Sequence, residues 1–225
     1  MPKEMPSFDG ILRKHMVHVP EVIRQVSGIL IFGKRIKSIV FTTDIATIRN
    51  INADAVMAVY PFTPQPLITQ AVMLAADIPV FAGVGGGTTT GKRVTNIARD
   101  AEFQGAIGVV VNAPTPNEVI RDVRENIDIP IVITVASKDD IDIRSRFEAG
   151  ANILNVSAAA KTPQLVYELR REFPNAAIIA TGGPTDETIL ETVQAGANAI
   201  TWTPPTPAEL FKDLMSRYRQ GLPRD

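Results

Sequence analysis

Eight apolar runs, separated mostly by helix-forming segments, constrain this chain more than any other feature. They are SIVFTT near 38–43, AVMAVY near 55–60, PVFAGV near 79–84, AIGVVV near 106–111, PIVITV near 130–135, NILNV near 152–156, AIIAT near 177–181 and NAITW near 198–202. Each is close to continuous rather than alternating, as expected of parallel strands covered on both faces. Helical periodicity fills the gaps, for example Thr90 to Ala101, Asn117 to Glu125, Asp139 to Ala149, Gln164 to Phe173 and Thr188 to Ala195.

The units are phased in pairs. Every even-numbered run leads to a Thr-Pro pair: Thr63-Pro64, Thr115-Pro116, Thr162-Pro163 and Thr206-Pro207. A threonine N-cap followed by proline in the first turn is a helix-start signature. Later odd runs are entered through Pro79, Pro130 and Pro174, and Ala-Gly-Ala-Asn recurs at Ala149–Asn152 and Ala195–Asn198, before the sixth and eighth runs. Its glycine is a helix stop. A doubled unit used four times predicts a closed (β/α)8 TIM barrel over residues 38–225, near the minimum size for that fold. An open doubly wound sheet is the runner-up and gives no reason for fourfold phasing.

Residues 1–37 stand apart. Ile11 to Val19 reads as a short helix carrying His15 and His18, and Pro20 to Ile31 as a second with an apolar face from Val22, Ile23, Val26, Ile29 and Leu30. The expectation is a helical capping segment packed on the barrel. Net charge is −1 with no basic block, which argues against nucleic acid and anionic membrane as partners. There is no cysteine, hence no disulfide or thiolate chemistry, and no apolar run approaches a membrane span. A soluble, cytoplasmic protein without a cofactor is expected, with a homo-oligomer left open.

In such barrels ligands bind at the loops beyond the carboxyl ends of the strands. Those loops hold Asp44, Tyr60, the stretch Gly83-Val84-Gly85-Gly86-Gly87-Thr88-Thr89-Thr90-Gly91-Lys92-Arg93, Asn112, Ser157, Thr181-Gly182-Gly183 and Trp202. The third loop nearly matches a P-loop, but Arg93 stands where magnesium binding needs Ser or Thr. Gly85, Gly86, Gly87, Thr88 and Lys92 are therefore candidates for a simple anion cradle, against the alternative of a plain glycine lid. Asp44 follows its strand directly and is the candidate general base; its alternative role is N-cap of a helix from Ile45. Lys138 and Lys161 read as solvated rim residues rather than Schiff-base lysines. His15 and His18 lack a third ligand for metal. Tyr60 and Trp202 could stack on a ligand or plug the core.

The segment Asn152 to Trp202, with FPNAAIIA and TGG, resembles the aldolase-type phosphate-binding TIM barrels, including the keto-deoxy-phosphogluconate aldolases. That resemblance implies phosphate binding by Thr181, Gly182 and Gly183. It does not extend to the eighth loop, where Pro204 and Pro205 offer no N–H donors. The aldolase lysine would fall in strand six, where the chain has Leu154, Asn155 and Val156, so the Schiff-base mechanism is not implied. Through IRNINADAV, YPFTPQP, GVGGG, GKR, FQGAIGVVVNAPTPNEVI and IIATGGPT the chain also resembles an uncharacterised bacterial family labelled "hydrolase". The glycerol-phosphate-responsive antiterminators are a more distant likeness.

The resulting expectation is a hydrolase- or lyase-like enzyme for a small anionic, phosphorylated metabolite. Asp44 acts as base, Asn112 and Ser157 orient the substrate, and Gly85, Gly86, Gly87, Thr88, Lys92, Thr181, Gly182 and Gly183 bind the anion beside Tyr60 and Trp202. The competing expectation is a non-catalytic sensor using the same pocket.

Overall fold

A computed structural model describes residue 6 and residues 17–137 and 142–221. The predicted helix over Ile11 to Val19 falls almost wholly outside that range, as do His15 and Lys138.

The eight runs form one closed parallel barrel. Its strands are β3 (Ser38–Phe41), β4 (Ala55–Ala58), β5 (Val80–Gly85), β6 (Gly108–Val111), β7 (Ile131–Val135), β8 (Ile153–Val156), β9 (Ala177–Thr181) and β10 (Ala199–Trp202). Helices follow in turn: α1 (Ile45–Arg49), α2 (Pro66–Ala75), α3 (Lys92–Phe103), α4 (Asn117–Asn126), α5 (Ile143–Glu148), α6 (Thr162–Glu172), α7 (Asp186–Gln194) and α8 (Pro207–Arg219). β10 pairs with β3 to close the circuit, so the barrel sheet has no open edge.

Along each strand, outward residues such as Val40, Val56, Val109 and Ile200 pack against the helices, and inward residues fill the lumen. Alternate strands supply each interior layer, and the pairing registers place the layers in order. Ile39, Phe81, Val132 and Ile179 make an apolar floor, all at most 0% exposed. Above it come Met57, Val110, Asn155 and Thr201, then Phe41, Gly83, Thr134 and Thr181. Val59, Asn112, Ser157 and Thr203 form the rim. The lumen is thus apolar below and polar on its β7–β10 side above.

The N-terminal segment departs from expectation. Pro20 to Ile31 does not form a helix: Glu21–Gln25 is a 3-10 turn, and β1 (Ile29–Ile31) and β2 (Lys34–Ile36) form an antiparallel hairpin. Gly28 sits at φ +83°, which ends helical geometry, and Phe32 and Gly33 take the positive φ values (45° and 79°) of a tight hairpin turn. Packing decides the outcome. Ile31 and Ile36 join Ile39, Phe81, Ile153 and Ile179 in one buried cluster, so the hairpin stoppers the amino-terminal end of the barrel. Val19, Ile23 and Val26 pack into the outer core.

Asp54 fastens this segment. Its carboxylate accepts from the Lys37 and Ser38 amides at 2.9 Å each and from the Arg24 guanidinium at 2.9 Å. Burial works against its charge, but the Ser38 and Lys37 amides and Arg24 outweigh it and hold the carboxyl below its ordinary value. The Ala-Gly-Ala-Asn repeat has the same kind of role. Asn152 Oδ1 accepts from Ile131 N and Asn198 Oδ1 from Ile178 N, each at 2.9 Å, tying adjacent strands at the base. Of the four Thr-Pro threonines, Thr206 is the one that caps its helix. Gln65, Pro116 and Lys161 occupy the other N-cap positions.

Candidate functional site at the barrel mouth

All predicted site residues that follow strands lie at the carboxyl end of the barrel, but they fall in two groups. β5 and β9 are four strands apart in the closed order, so the third-loop and seventh-loop glycines face each other from opposite walls.

One cavity, of about 230 Å³, lies on the β4–β6 side. Tyr60, Gly85, Gly86, Thr88 and Asn112 line it, and Gly83 and Val110 carry it down toward the lumen. The local backbone explains the glycines. β5 slips register against β6 between Gly83 and Gly85, and Gly85 and Gly86 sit at φ +144° and +112°. A Cβ on Gly86 would lie 2.6 Å from Asn112 Cβ and 2.8 Å from Thr115 Oγ1. Gly86 N–H donates to Thr89 C=O at 2.9 Å, so that amide is not open to an anion. Gly87, at φ +72°, has nothing near its Cβ position. Asn112 is held by its own amide, which donates to Gly85 C=O at 3.0 Å, leaving its side chain exposed. Tyr60 Oη accepts from Gln65 N at 2.8 Å, which fixes the ring against the cavity wall.

The loop delivers the chain into α3, whose N-cap is Gly91 with no side-chain cap and whose first turn holds no carboxylate. Lys92 and Arg93 open that helix and are exposed. A helix amino terminus with cationic side chains attracts anions.

The second cavity, about 530 Å³, lies on the β9–β10 side, lined by Thr181, Gly183, Thr201, Trp202, Thr203 and Glu209 among others. Here the electrostatics run the other way. Gly182 N–H donates to Thr201 C=O at 3.0 Å. α7 opens with Asp186 and Glu187 behind a Thr185–Thr188 capping box. Glu209 accepts from the Thr206 amide and hydroxyl, which holds its carboxyl below the ordinary value; Glu187 is lowered by its own amide and by Thr185. Gly182 and Gly183 have packing roles: Cβ atoms there would lie 2.8 Å from Ile200 Cγ2 and 2.6 Å from Thr188 Oγ1. Trp202 is half-buried against the outer core as well as lining the cavity.

Asp44 is the N-cap of α1: its Oδ1 accepts from Thr47 N at 2.6 Å. It is half-buried at the mouth and lines neither cavity. Ser157 is exposed on the rim, its amide bonded to Val135 C=O. Lys161 is an exposed N-cap of α6. His18 faces Asn52, Nδ1 to Nδ2 3.1 Å, in the N-terminal segment rather than at the mouth. Among the described residues no group of three His, Cys, Asp or Glu side chains could hold a metal ion. No helix among them is long and apolar enough to cross a membrane.

Sequence reasoning missed Thr134, Asn155 and Thr201 as a polar group inside the lumen. The signal was there: each interrupts an otherwise apolar run at an inward-facing position.

No protein-family model and no curated protein sequence matches the chain. Solved structures do. Phosphonopyruvate hydrolase in complex with oxalate and magnesium aligns with TM-score 0.61 at 11% identity, covering 86% of each chain. Phosphoenolpyruvate phosphomutase from Streptomyces platensis subsp. rosaceus aligns with TM-score 0.60 at 14% identity, covering 82% of this chain and 83% of its own. The 4-hydroxy-tetrahydrodipicolinate synthase of Methylacidiphilum fumariolicum SolV aligns with TM-score 0.58 at 17% identity, covering 82% and 73%. The likeness is one of fold: the chain is a (β/α)8 barrel.

Proposed function

We propose that the protein is a hydrolase- or lyase-like enzyme for a small anionic, phosphorylated metabolite bound at the barrel mouth. The observation that carries this reading is the β4–β6 cavity beside a helix start whose first turn holds Lys92 and Arg93 and no carboxylate. The anion lies against Thr88 and the start of α3, with Gly85 and Gly86 shaping the cavity and Gly87 free to adapt. Two fold neighbours are named for phosphonopyruvate and phosphoenolpyruvate, in keeping with an anionic substrate. Across the mouth, Thr181, Gly182, Gly183 and Trp202 form a wall rather than a second phosphate site, because Glu187 and Glu209 place negative charge there. Asp44 serves as base, and Asn112 and Ser157 orient the substrate. The magnesium of the neighbour has no matching donor cluster among the described residues.

A non-catalytic sensor with the same pocket is the second reading. It is favoured by one observation: the Asp44 carboxylate is already engaged as a helix cap. Calorimetric titration with inorganic phosphate at low salt tests the shared premise. Lys92→Ala combined with Arg93→Ala should weaken binding about tenfold or more and flatten its salt dependence. Unchanged affinity would move the anion away from loop three.

A further inference from the structure

The inward layers at the mouth contain two polar atoms that no described residue satisfies. Asn155 and Thr201 are 8% and 5% exposed, and Asn155 Oδ1 and Thr201 Oγ1 are fully enclosed without a hydrogen-bond partner. β8 and β10 are alternate strands, and the registers put both side chains in one layer with Met57 and Val110. Thr134 and Thr181 stand in the layer above. Val110 also lines the floor of the β4–β6 cavity, while Thr201 and Thr181 line the β9–β10 cavity, so this layer lies between the two. No inward residue of either layer carries a charge.

Buried polar groups in folded proteins are paired, and an unpaired one calls for a ligand or water. We propose that this side of the lumen binds the uncharged, hydroxylated end of the ligand, making the substrate a polyol or sugar phosphate rather than a bare carboxylate. Asn155 Nδ2 reaches Thr134 Oγ1 at 3.4 Å. Since a hydroxyl donates or accepts, turning the amide over would leave Nδ2 free in place of Oδ1. A ligand hydroxyl satisfies either arrangement, and Thr201 as well. A carboxylate or phosphate oxygen can only accept, and the lumen offers it no cation. The inference deepens the functional reading above and depends on it for the location of the mouth, not for the anion.

The test is titration of the full chain with ribitol 5-phosphate, pentyl phosphate, ribitol and inorganic phosphate. Ribitol 5-phosphate should bind about tenfold or more tightly than pentyl phosphate, since a site built for hydroxyls rejects the analogue lacking them. Thr201→Val and Asn155→Leu should abolish that margin, leave inorganic phosphate binding intact, and melt no lower than the parent. Thr201→Val is the smaller change and decides the matter should Asn155→Leu not fold. Equal affinity for the two phosphate esters, or a margin surviving both substitutions, would overturn the inference and assign the lumen atoms to trapped water. Binding of ribitol without binding of inorganic phosphate would uphold the lumen site and sink the anion reading alone.

Discussion

Replacing Gly86 with alanine separates a packing glycine from an anion-cradle glycine. The added Cβ would meet Asn112 Cβ at 2.6 Å, Thr115 Oγ1 at 2.8 Å and Asn112 N at 2.9 Å. One of these is backbone, in the residue just beyond β6, so no side-chain rotation relieves the clash. The φ of +112° adds strain, since it lies well beyond the left-handed basin near +57° that alanine tolerates. Strain and overpacking together should cost about 2–4 kcal/mol. For a domain this size that lowers Tm by roughly 4–16 °C. Gly87→Ala is the matched control: φ is +72° and the Cβ position is open, so it should cost about 1 kcal/mol. Urea unfolding of the three proteins gives both numbers. Phosphate titration should show weaker binding for Gly86→Ala, because Asn112 is pushed out of the cavity wall. If Gly86→Ala is no more destabilised than Gly87→Ala, the reasoning about the β5–β6 slip is wrong.

Three further outcomes follow from named contacts. Asp44→Asn preserves a good N-cap, so stability should shift by no more than about 0.5 kcal/mol, while turnover should be lost with phosphate binding intact; turnover that survives would refute Asp44 as the base. Asp54→Ala should cost about 1–3 kcal/mol by urea unfolding, from two amide contacts and a partly exposed Arg24 pair. Because folding lowers the Asp54 pKa from 3.8, its contribution is complete above that value and is lost as pH falls through the lower folded value. The gap between parent and Asp54→Ala should therefore close only in that acid range; a gap that closed near neutrality would contradict the assignment. Ile31→Ala removes a stopper from the barrel base and should destabilise by about 2–4 kcal/mol in the same assay, with mouth binding unchanged.

The barrel was legible because its determinants are local and repeated. Continuous apolar runs, glycine stops at Gly150 and Gly196, and proline entries each act over a few residues, and all eight strands form where these signals fall. The hairpin was not legible. Val22 to Leu30 carries helix-like spacing, and what overrides it is tertiary: the open base of the barrel, which Ile31 and Ile36 fill. At the mouth, sequence spacing identified loop three, and the structure puts Tyr60, Gly85, Gly86, Thr88 and Asn112 on one cavity. It could not show that Gly86 and Gly182 spend their amides on Thr89 and Thr201, or that Glu209 folds back toward the seventh loop's cavity. The Gly182 contact joins strands far apart in the chain, and the Gly86 contact depends on the positive-φ turn of loop three. Asn155 and Thr201 needed the registers as well, since inward and outward positions differ by one residue along each strand.

The central claim is that one wall of the mouth attracts an anion and the facing wall does not. A crystal structure of the protein soaked in inorganic phosphate tests it most directly. The account predicts phosphate against Thr88 and the first turn of α3, within reach of Lys92 or Arg93. Phosphate seated instead on Gly182 and Gly183, beside Glu187 and Glu209, would contradict it.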